Sequence, residues 1–175
     1  AINDNSVDIV LCHWALTLMD PITPVLDEVR RVLTSEGQFA AIVDGPMNAA
    51  PGYKDVHDLI YTYVQEEMPS YGKIDLGDPR IRGSESLINV ARKAFPKANV
   101  SVETNVVSMQ GPVNQVAEIA AGFFYATFVL KPDKRKSMIT NLTNILAISK
   151  ESNDAERQGR FSMPISRLSV IHDIK

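Results

Sequence analysis

Residues 4–45, DNSVDIVLCHWALTLMDPITPVLDEVRRVLTSEGQFAAIVDG, decide the fold. The run over 7–14 is apolar at nearly every position, which predicts a strand buried on both faces, and 38–43 predicts a second strand. The segment between them has the spacing of an amphipathic helix. A strand, a helix and a strand with short joints form a right-handed βαβ unit, whose two strands are parallel. The sequence therefore predicts an α/β fold.

The predicted helix has recognisable signals at both ends. Asp20 or Thr23 can cap its first turn, Pro21 or Pro24 suits that turn, and Gly37 ends it. The residues at helical spacing that form its apolar stripe are Ile22, Val25, Leu26, Val29, Val32 and Leu33. This stripe is expected to pack on the sheet.

The carboxyl ends of the two predicted strands carry chemistry-bearing side chains, and ligands of open α/β sheets bind just outside those ends. His13 is a candidate proton acceptor, because histidine titrates near neutrality; the alternative, which we favour, is a histidine packed at the strand end. Trp14 is expected in the core or in a cofactor wall. Asp44 could orient a substrate hydroxyl or amine, or could serve the turn beside Gly45.

The segment over 47–83 differs from its surroundings, because proline, glycine and tyrosine recur in it. It contains a predicted helix over 56–68, and we expect it to be a lid or substrate-binding cap. His57 and Tyr61 are four residues apart and therefore share one face of that helix. With Tyr53 they could line a substrate pocket, or could simply pack the cap.

The rest of the chain predicts an alternation of helices and strands. The predicted elements are a helix over 84–95, a strand over 100–109, a mostly buried helix over 112–130, a helix over 132–148, a polar loop over 150–160 and a final strand. Ser84 is the expected cap of the first of these helices. In the final strand, Leu168 and Val170 alternate with polar positions.

Composition narrows the function classes. The chain has 175 residues, 45% of them hydrophobic and 22% charged, as in an ordinary folded domain. Its net charge of −3 and the absence of a basic run longer than 134–136 argue against a nucleic-acid partner. The longest apolar stretch, 117–130, is too short to cross a bilayer, so no membrane partner is expected. A single cysteine, Cys12, suggests a reduced thiol and a cytoplasmic protein.

Residues 4–45 resemble the fourth strand, fourth helix and fifth strand of class I S-adenosylmethionine-dependent methyltransferases, in particular the branch that methylates small molecules. The motifs are DNSVD at 4–8, EVRRVL at 28–33 and Gly37, with Glu36 where a first glycine is usual. The tail at 161–175, FSMPISRLSVIHDIK, resembles the last strand of these enzymes.

The resemblance implies a single partial domain, residues 1–175, with strands 4, 5, 7 and 6 of the usual Rossmann-like methyltransferase sheet and the cap over 47–83. It implies S-adenosylmethionine as cofactor and a small molecule as acceptor. The residues implied in binding the cofactor are Asp4, Cys12, His13 and Trp14, with His13 also the catalytic candidate; those implied for the substrate are Asp44, Tyr53, His57 and Tyr61. No metal site is expected, because the three histidines are scattered.

The glycine-rich turn that holds the cofactor in this family has no counterpart here, since no glycine precedes Gly37. The chain is therefore expected to be inactive alone. It could be a fragment, one half of a split protein, or a degenerate relative with a new role. In each case 7–14 becomes an edge strand, which is expected to pair with the missing half or with a second copy. The alternative function is a non-catalytic module that self-associates through this strand.

Overall fold

A computed structural model describes residues 1–72, 77–148 and 157–172. Four strands form one sheet in the order β1-β2-β4-β3. Strand β1 is parallel to β2, and β4 is antiparallel to β2. The strands are β1 (Val7–His13), β2 (Leu33–Asp44), β3 (Ala98–Pro112) and β4 (Gln158–His172). This order confirms the predicted arrangement of strands 4, 5, 7 and 6.

Five α-helices connect and cover the strands, and they are α1 (Ile22–Val32), α2 (Tyr53–Glu67), α3 (Ser84–Ala94), α4 (Val113–Gly122) and α5 (Pro132–Leu146). Short 3₁₀ helices occur at Ala15–Leu18, Met47–Ala49, Pro79–Ile81 and Tyr125–Val129. Across the described ranges, none of the helices combines the length and the apolar character needed to traverse a bilayer.

The chain divides into two compact units. The first contains the described residues of 1–46, 75–105 and 164–175, and the second contains those of 47–74 and 106–163. Helix α2, the helical part of the predicted cap, belongs to the second unit, whereas 77–83 belong to the first. The interpretation of 47–83 as one cap stays a prediction.

In the first unit, α1 and α3 bury their apolar stripes in one core on one face of the sheet. Phe39 of β2 and Phe95 after α3 stack there with ring centroids 6.1 Å apart. Val10 of β1 packs against the same core, but Ile9 and Leu11 on the opposite face are 62% and 77% exposed. The prediction that this strand is buried on both faces is therefore wrong for the described chain.

Helix α1 differs from its prediction at both ends. It stops at Val32, and β2 begins at Leu33, because Leu33 pairs with Val7 of β1 and sheet pairing overrides the helical signal up to Gly37. The predicted caps are also wrong. Asp78 supplies the cap from another part of the chain, since its Oδ2 accepts the Ile22 N–H at 3.1 Å.

The second unit is a helical layer built from α2, α4 and α5. Ion pairs from Lys134 to Glu66 and from Lys131 to Glu67 join α5 to α2. The outer ends of β3 and β4 belong to the same unit. Of the predicted loop at 150–160, positions 150–156 lie outside the described residues.

The helix predicted over 112–130 is broken in the second unit. Helix α4 ends at Gly122, where the Thr127 hydroxyl donates to the Ala121 and Phe124 carbonyls at 3.2 and 2.9 Å and so satisfies groups that a longer helix would pair. The break leaves Tyr125 67% and Phe128 77% exposed. The expectation that this segment is mostly buried is therefore wrong.

Ser84 begins α3 as predicted, but the cap differs. Gly83 occupies the N-cap position with no side-chain cap, and the Ser86 hydroxyl donates to the Gly83 and Arg80 carbonyls. In β4, the alternation is confirmed, since Leu168 and Val170 are buried.

Candidate functional site

The carboxyl ends of β1 and β2 lie side by side. His13 is the last residue of β1 and pairs with Ile42 of β2, and the Trp14 N–H donates to the Ile42 carbonyl at 2.9 Å. Strand β2 ends two residues later at Asp44. The structure therefore brings together His13, Trp14 and Asp44 at the sheet edge where α/β proteins bind ligands.

Trp14 has an unusual backbone conformation for a non-glycine residue. Its φ of 55° and ψ of −1° are left-handed, a conformation that costs a bulky side chain of the order of 1–3 kcal/mol. Two contacts hold it: the Trp14 N–H bond to β2, and a hydrogen bond of 2.7 Å from the Thr17 hydroxyl to the Trp14 carbonyl. Strained residues of this kind concentrate at functional sites.

The Trp14 indole is fixed by Asp44. Its Nε1 donates to Asp44 Oδ1 at 2.8 Å, which joins the tips of the two strands through their side chains. Asp44 is exposed, and among the described residues it forms no ion pair. The arrangement combines a flat apolar ring with an accessible negative charge.

His13 is exposed and packs edge-on against the indole. The ring centroids of His13 and Trp14 are 4.5 Å apart and their planes are 86° apart. An exposed imidazole at a strand tip can exchange a proton with a bound molecule. Cys12 lies next to His13 in sequence but on the opposite face, where it packs against the core.

Asp4 is the predicted cofactor residue that the structure does not bring to this site. It lies before β1, and the six residue steps from Val7 to His13 put the two ends of the strand about 20 Å apart. Its carboxylate pairs with Arg31 of α1, which also binds Glu28. Asp4 therefore fastens the segment before β1, and its role in binding the cofactor stays a prediction.

Two glycines support the strand tips, and sequence reasoning missed both roles. A Cβ on Gly45 would lie 2.8 Å from the Pro164 carbonyl carbon, so the turn after β2 packs directly on β4. A Cβ on Gly77 would lie 2.2 Å from the Thr17 carbonyl oxygen. In the sequence, the glycine residue was the only sign of each close contact, because the neighbours of Gly45 and Gly77 in space are distant in the chain.

The other predicted substrate residues form an aromatic cluster in the second unit. The rings of His57 and Tyr61 stack at 4.1 Å, and Tyr61 meets Tyr71 edge-on at 5.8 Å. Tyr53 is buried and stacks on Phe124 at 6.0 Å. The contacts of Tyr53 are those of a packing residue. Whether His57 and Tyr61 bind substrate stays a prediction.

Asp58 adds charge to this cluster. The pKa of its carboxyl lies below the usual value because Lys54 and then His57 bond to it; His57 Nδ1 is 3.1 Å from Asp58 Oδ1. The side chains of both Lys54 and Asp58 are more than half exposed, so water screens this pair.

Comparison with known proteins agrees with the fold. The family model described as a methyltransferase domain matches residues 1–41. Among curated proteins, none matches the sequence. A candidate type II methyltransferase from Anaeromyxobacter dehalogenans has 15% identity and a TM-score of 0.56, over 96% of this chain and 66% of that one.

Two further solved structures have similar coverage. They are the YcgJ protein from Bacillus subtilis, with 13% identity and a TM-score of 0.49, and a candidate methyltransferase from Bacillus halodurans, with 14% identity and a TM-score of 0.48. Each match covers 99% of this chain and 67% of the other. This chain thus spans about two thirds of the length of the solved structures. The match over 1–41 and the fold shared with the Anaeromyxobacter protein show that the chain has the fold of a class I methyltransferase-type domain.

Proposed function

We propose that this chain takes part in S-adenosylmethionine-dependent methyl transfer to a small molecule in the cytoplasm. The observation that carries the proposal is the convergence of His13, Trp14 and Asp44 at adjacent strand ends of a methyltransferase fold. Methyl transfer is a displacement in which the protein mainly positions two reactants and, where needed, removes a proton from the acceptor. The strand tips offer side chains for both tasks.

The residues at the tips fit part of the cofactor. S-adenosylmethionine, when bound, supplies a methyl group on a cationic sulfur. Trp14 offers a flat wall and Asp44 a negative charge, both suited to a cationic group. In the proposed arrangement Asp44 also orients the acceptor, and His13 accepts its proton. No glycine precedes Gly37, and we propose that the contacts made by the glycine-rich turn in the family come from another polypeptide.

Calorimetry with S-adenosylhomocysteine tests this proposal. We expect micromolar binding by the product of the complete reading frame, and weaker binding, by about tenfold, when Trp14→Ala removes the wall. The chain of residues 1–175 is titrated in parallel, and it is expected to bind far more weakly. If the complete product released no binding heat and methylated no acceptor, the proposal would be wrong.

A second candidate function is a non-catalytic assembly module, and the exposed face of β1 favours it. Among the described strands β1 pairs only with β2, so its other edge has unpaired backbone groups. Ile9 and Leu11 add apolar surface beside that edge. We propose a second copy of the chain as the occupant.

The sequence of β1 suits a twofold antiparallel pair. When the twofold axis passes through Val10, Ile9 of each copy lies opposite Leu11 of the other copy. These two symmetry-related pairs form a continuous apolar patch. The charged residue of the strand, Asp8, lies opposite Cys12 and not opposite its own copy. No like charges therefore face each other in this register.

Leu11→Lys tests the assembly. A lysine on each edge adds charge to the patch and is a common way to prevent edge pairing, so we expect the dimer dissociation constant to rise by about tenfold or more. Sedimentation velocity over a concentration series measures this constant. Leu18→Lys is the matched control, because Leu18 is 56% exposed but lies outside β1. A wild-type chain that stays monomeric at high concentration contradicts the assembly proposal.

A further inference from the structure

We propose that a cleft between α1 and α3 binds a small zwitterionic amino acid, such as glycine or alanine. The cleft has a volume of about 100 Å³, and its lining residues belong to α1, to α3 and to the short helix Pro79–Ile81 of the first unit. The strand-tip residues His13, Trp14 and Asp44 do not line it. The inference therefore goes beyond the proposed function and does not depend on it.

The size of the cleft limits its occupant to a molecule of a few heavy atoms. Its volume equals that of about three water molecules at roughly 30 Å³ each, whereas sites for drug-sized ligands start at about 300 Å³. The adenosyl group of the cofactor is therefore too large for it. Leu26, Val90 and Ala94 are buried side chains that give the cleft an apolar lining. A methyl-sized side chain suits this lining.

Arg80 supplies a fixed positive group beside Thr23. Its Nε donates to Asp78 Oδ1 at 2.9 Å, and its Nη2 donates to Asp78 Oδ2 and, at 3.3 Å, to the Thr23 hydroxyl oxygen. Among the described residues Nη1 has no acceptor, so its two hydrogens are available to a carboxylate. A guanidinium held in this way before binding loses little conformational freedom when the ligand arrives.

Lys93 and Asp27 add one further charge of each sign to the cleft. Lys93 of α3 is exposed, and no carboxylate of the described chain lies within ion-pair distance of it. Asp27 of α1 is half-exposed; its Oδ1 pairs with Arg30 at 3.1 Å, and its Oδ2 has no partner in the described chain. The cleft therefore offers both cationic donors and an anionic acceptor to one ligand.

The spacing of these charges suits an α-amino acid. Thr23, which accepts a bond from Arg80, and Asp27 are four residues apart on α1, so they lie about 6 Å apart along the helix axis. An α-amino acid carries its carboxylate and its ammonium on one carbon and can reach both groups with hydrogen bonds of ordinary length. A simple carboxylate would meet Asp27 as a like charge, and a simple amine would meet Arg80 and Lys93. The zwitterion finds an opposite charge for each of its groups.

Methyl NMR of the full chain tests the site, because Leu26 and Val90 carry methyl groups that line the cleft. The probes are L-alanine, propionate, which lacks the ammonium group, and ethylamine, which lacks the carboxylate, each added at neutral pH and constant ionic strength. We expect saturable shifts of the Leu26 and Val90 methyl signals with alanine, at an affinity about fivefold or more above that of either singly charged probe. Equal affinities, or alanine shifts that do not saturate, would overturn the proposal.

Two variants separate the charges of the cleft. Asp27→Asn is expected to bind alanine no more tightly than propionate, because the acceptor of the ammonium group has become neutral. Lys93→Gln is expected to bind alanine and propionate about threefold more weakly, whereas its affinity for ethylamine does not fall. Lys97→Gln is the matched control, since Lys97 is exposed, follows α3 and does not line the cleft. This control should bind all three probes as wild type does.

Circular dichroism establishes that the variants are folded. A folded Asp27→Asn chain that kept the full preference for alanine over propionate would also contradict the zwitterion site. The comparison of the three probes on the wild-type chain requires no variant. It is also independent of cofactor binding, because the cleft shares no residue with the strand tips.

Discussion

The Gly77→Ala variant is expected to lose about 3 kcal/mol or more of unfolding free energy. Gly77 has a φ of 70°, which costs any other residue backbone strain. An added Cβ would also lie 2.2 Å from the Thr17 carbonyl oxygen and 2.8 Å from its carbon. Backbone atoms have to move to relieve such contacts, and this is costlier than turning a flexible side chain.

The same substitution is expected to disturb the strand tips. Thr17 donates its hydroxyl hydrogen to the Trp14 carbonyl, so a shift of Thr17 removes one of the contacts that hold the left-handed Trp14. Urea unfolding followed by circular dichroism gives the free energy, and the emission maximum of Trp14 gives the local effect. We expect a lower urea midpoint together with a red-shifted emission, because the indole becomes more exposed.

Gly52→Ala is the matched control for this prediction. Gly52 has a φ of 73°, close to that of Gly77, but no atom lies within 4 Å of its hypothetical Cβ. The Gly52→Ala variant should therefore lose only the free energy of the left-handed strain, about 1 kcal/mol. Its Trp14 emission should be unchanged. Equal losses in the two variants would mean that the contact with Thr17 does not matter.

The parallel pairing of β1 and β2 could be predicted from patterns within a short segment, whereas the order of all four strands was implied by the resemblance to methyltransferases. Two apolar runs around an amphipathic helix require a parallel pair, and the alternation of Leu168 and Val170 predicts a strand with one buried face. The meeting of His13, Trp14 and Asp44 also followed, because parallel strands end at the same edge. The hydrogen bond from Trp14 to Asp44 across 30 residues did not follow, since it requires the strained turn.

Features that depend on distant parts of the chain could not be predicted. The cap of α1 comes from Asp78, 56 residues beyond Ile22, so local capping rules selected Asp20 or Thr23. The helix predicted over 112–130 ends early because the Thr127 hydroxyl donates to the Ala121 carbonyl. The apolar composition of the segment does not reveal this bond. In both cases the deciding hydrogen bond joins groups that come together only when the chain folds.

The Asp78→Asn variant is expected to have a lower free energy of unfolding than wild type at neutral pH. Its free energy of unfolding should also fall less than that of wild type as the solution becomes acidic. The Asp78 carboxylate is buried and accepts bonds from the Arg80 guanidinium and from the backbone of Arg80 and Ile22. These contacts, with the Arg80 side chain the largest, hold the Asp78 pKa well below its usual range. The asparagine keeps the shape but loses the charge that favours the N-terminus of α1.

The sign of the pH dependence follows from proton binding. Because the pKa of Asp78 is lower in the folded chain than in the unfolded chain, the unfolded chain binds this proton first as pH falls. The contribution of Asp78 is therefore complete above the ordinary aspartate pKa of about 3.9, and it is lost progressively below it. Thermal melts of wild type and Asp78→Asn should differ by several degrees at pH 7, and the difference should begin to shrink as the pH falls below about 4.

Asp58→Asn is the control for the Asp78 prediction, because the Asp58 pKa is also lowered, but by Lys54 at the surface of α2. Water screens that exposed pair, so its loss is expected to change the melting temperature little at any of these pH values. A gap between wild type and Asp78→Asn that stayed constant down to pH 3 would show that the asparagine fails through shape and not through charge. A gap that narrows below about pH 4 for Asp78→Asn and is absent for Asp58→Asn ties the acid sensitivity of the first unit to the cap of α1, the helix that joins the two strands of the site.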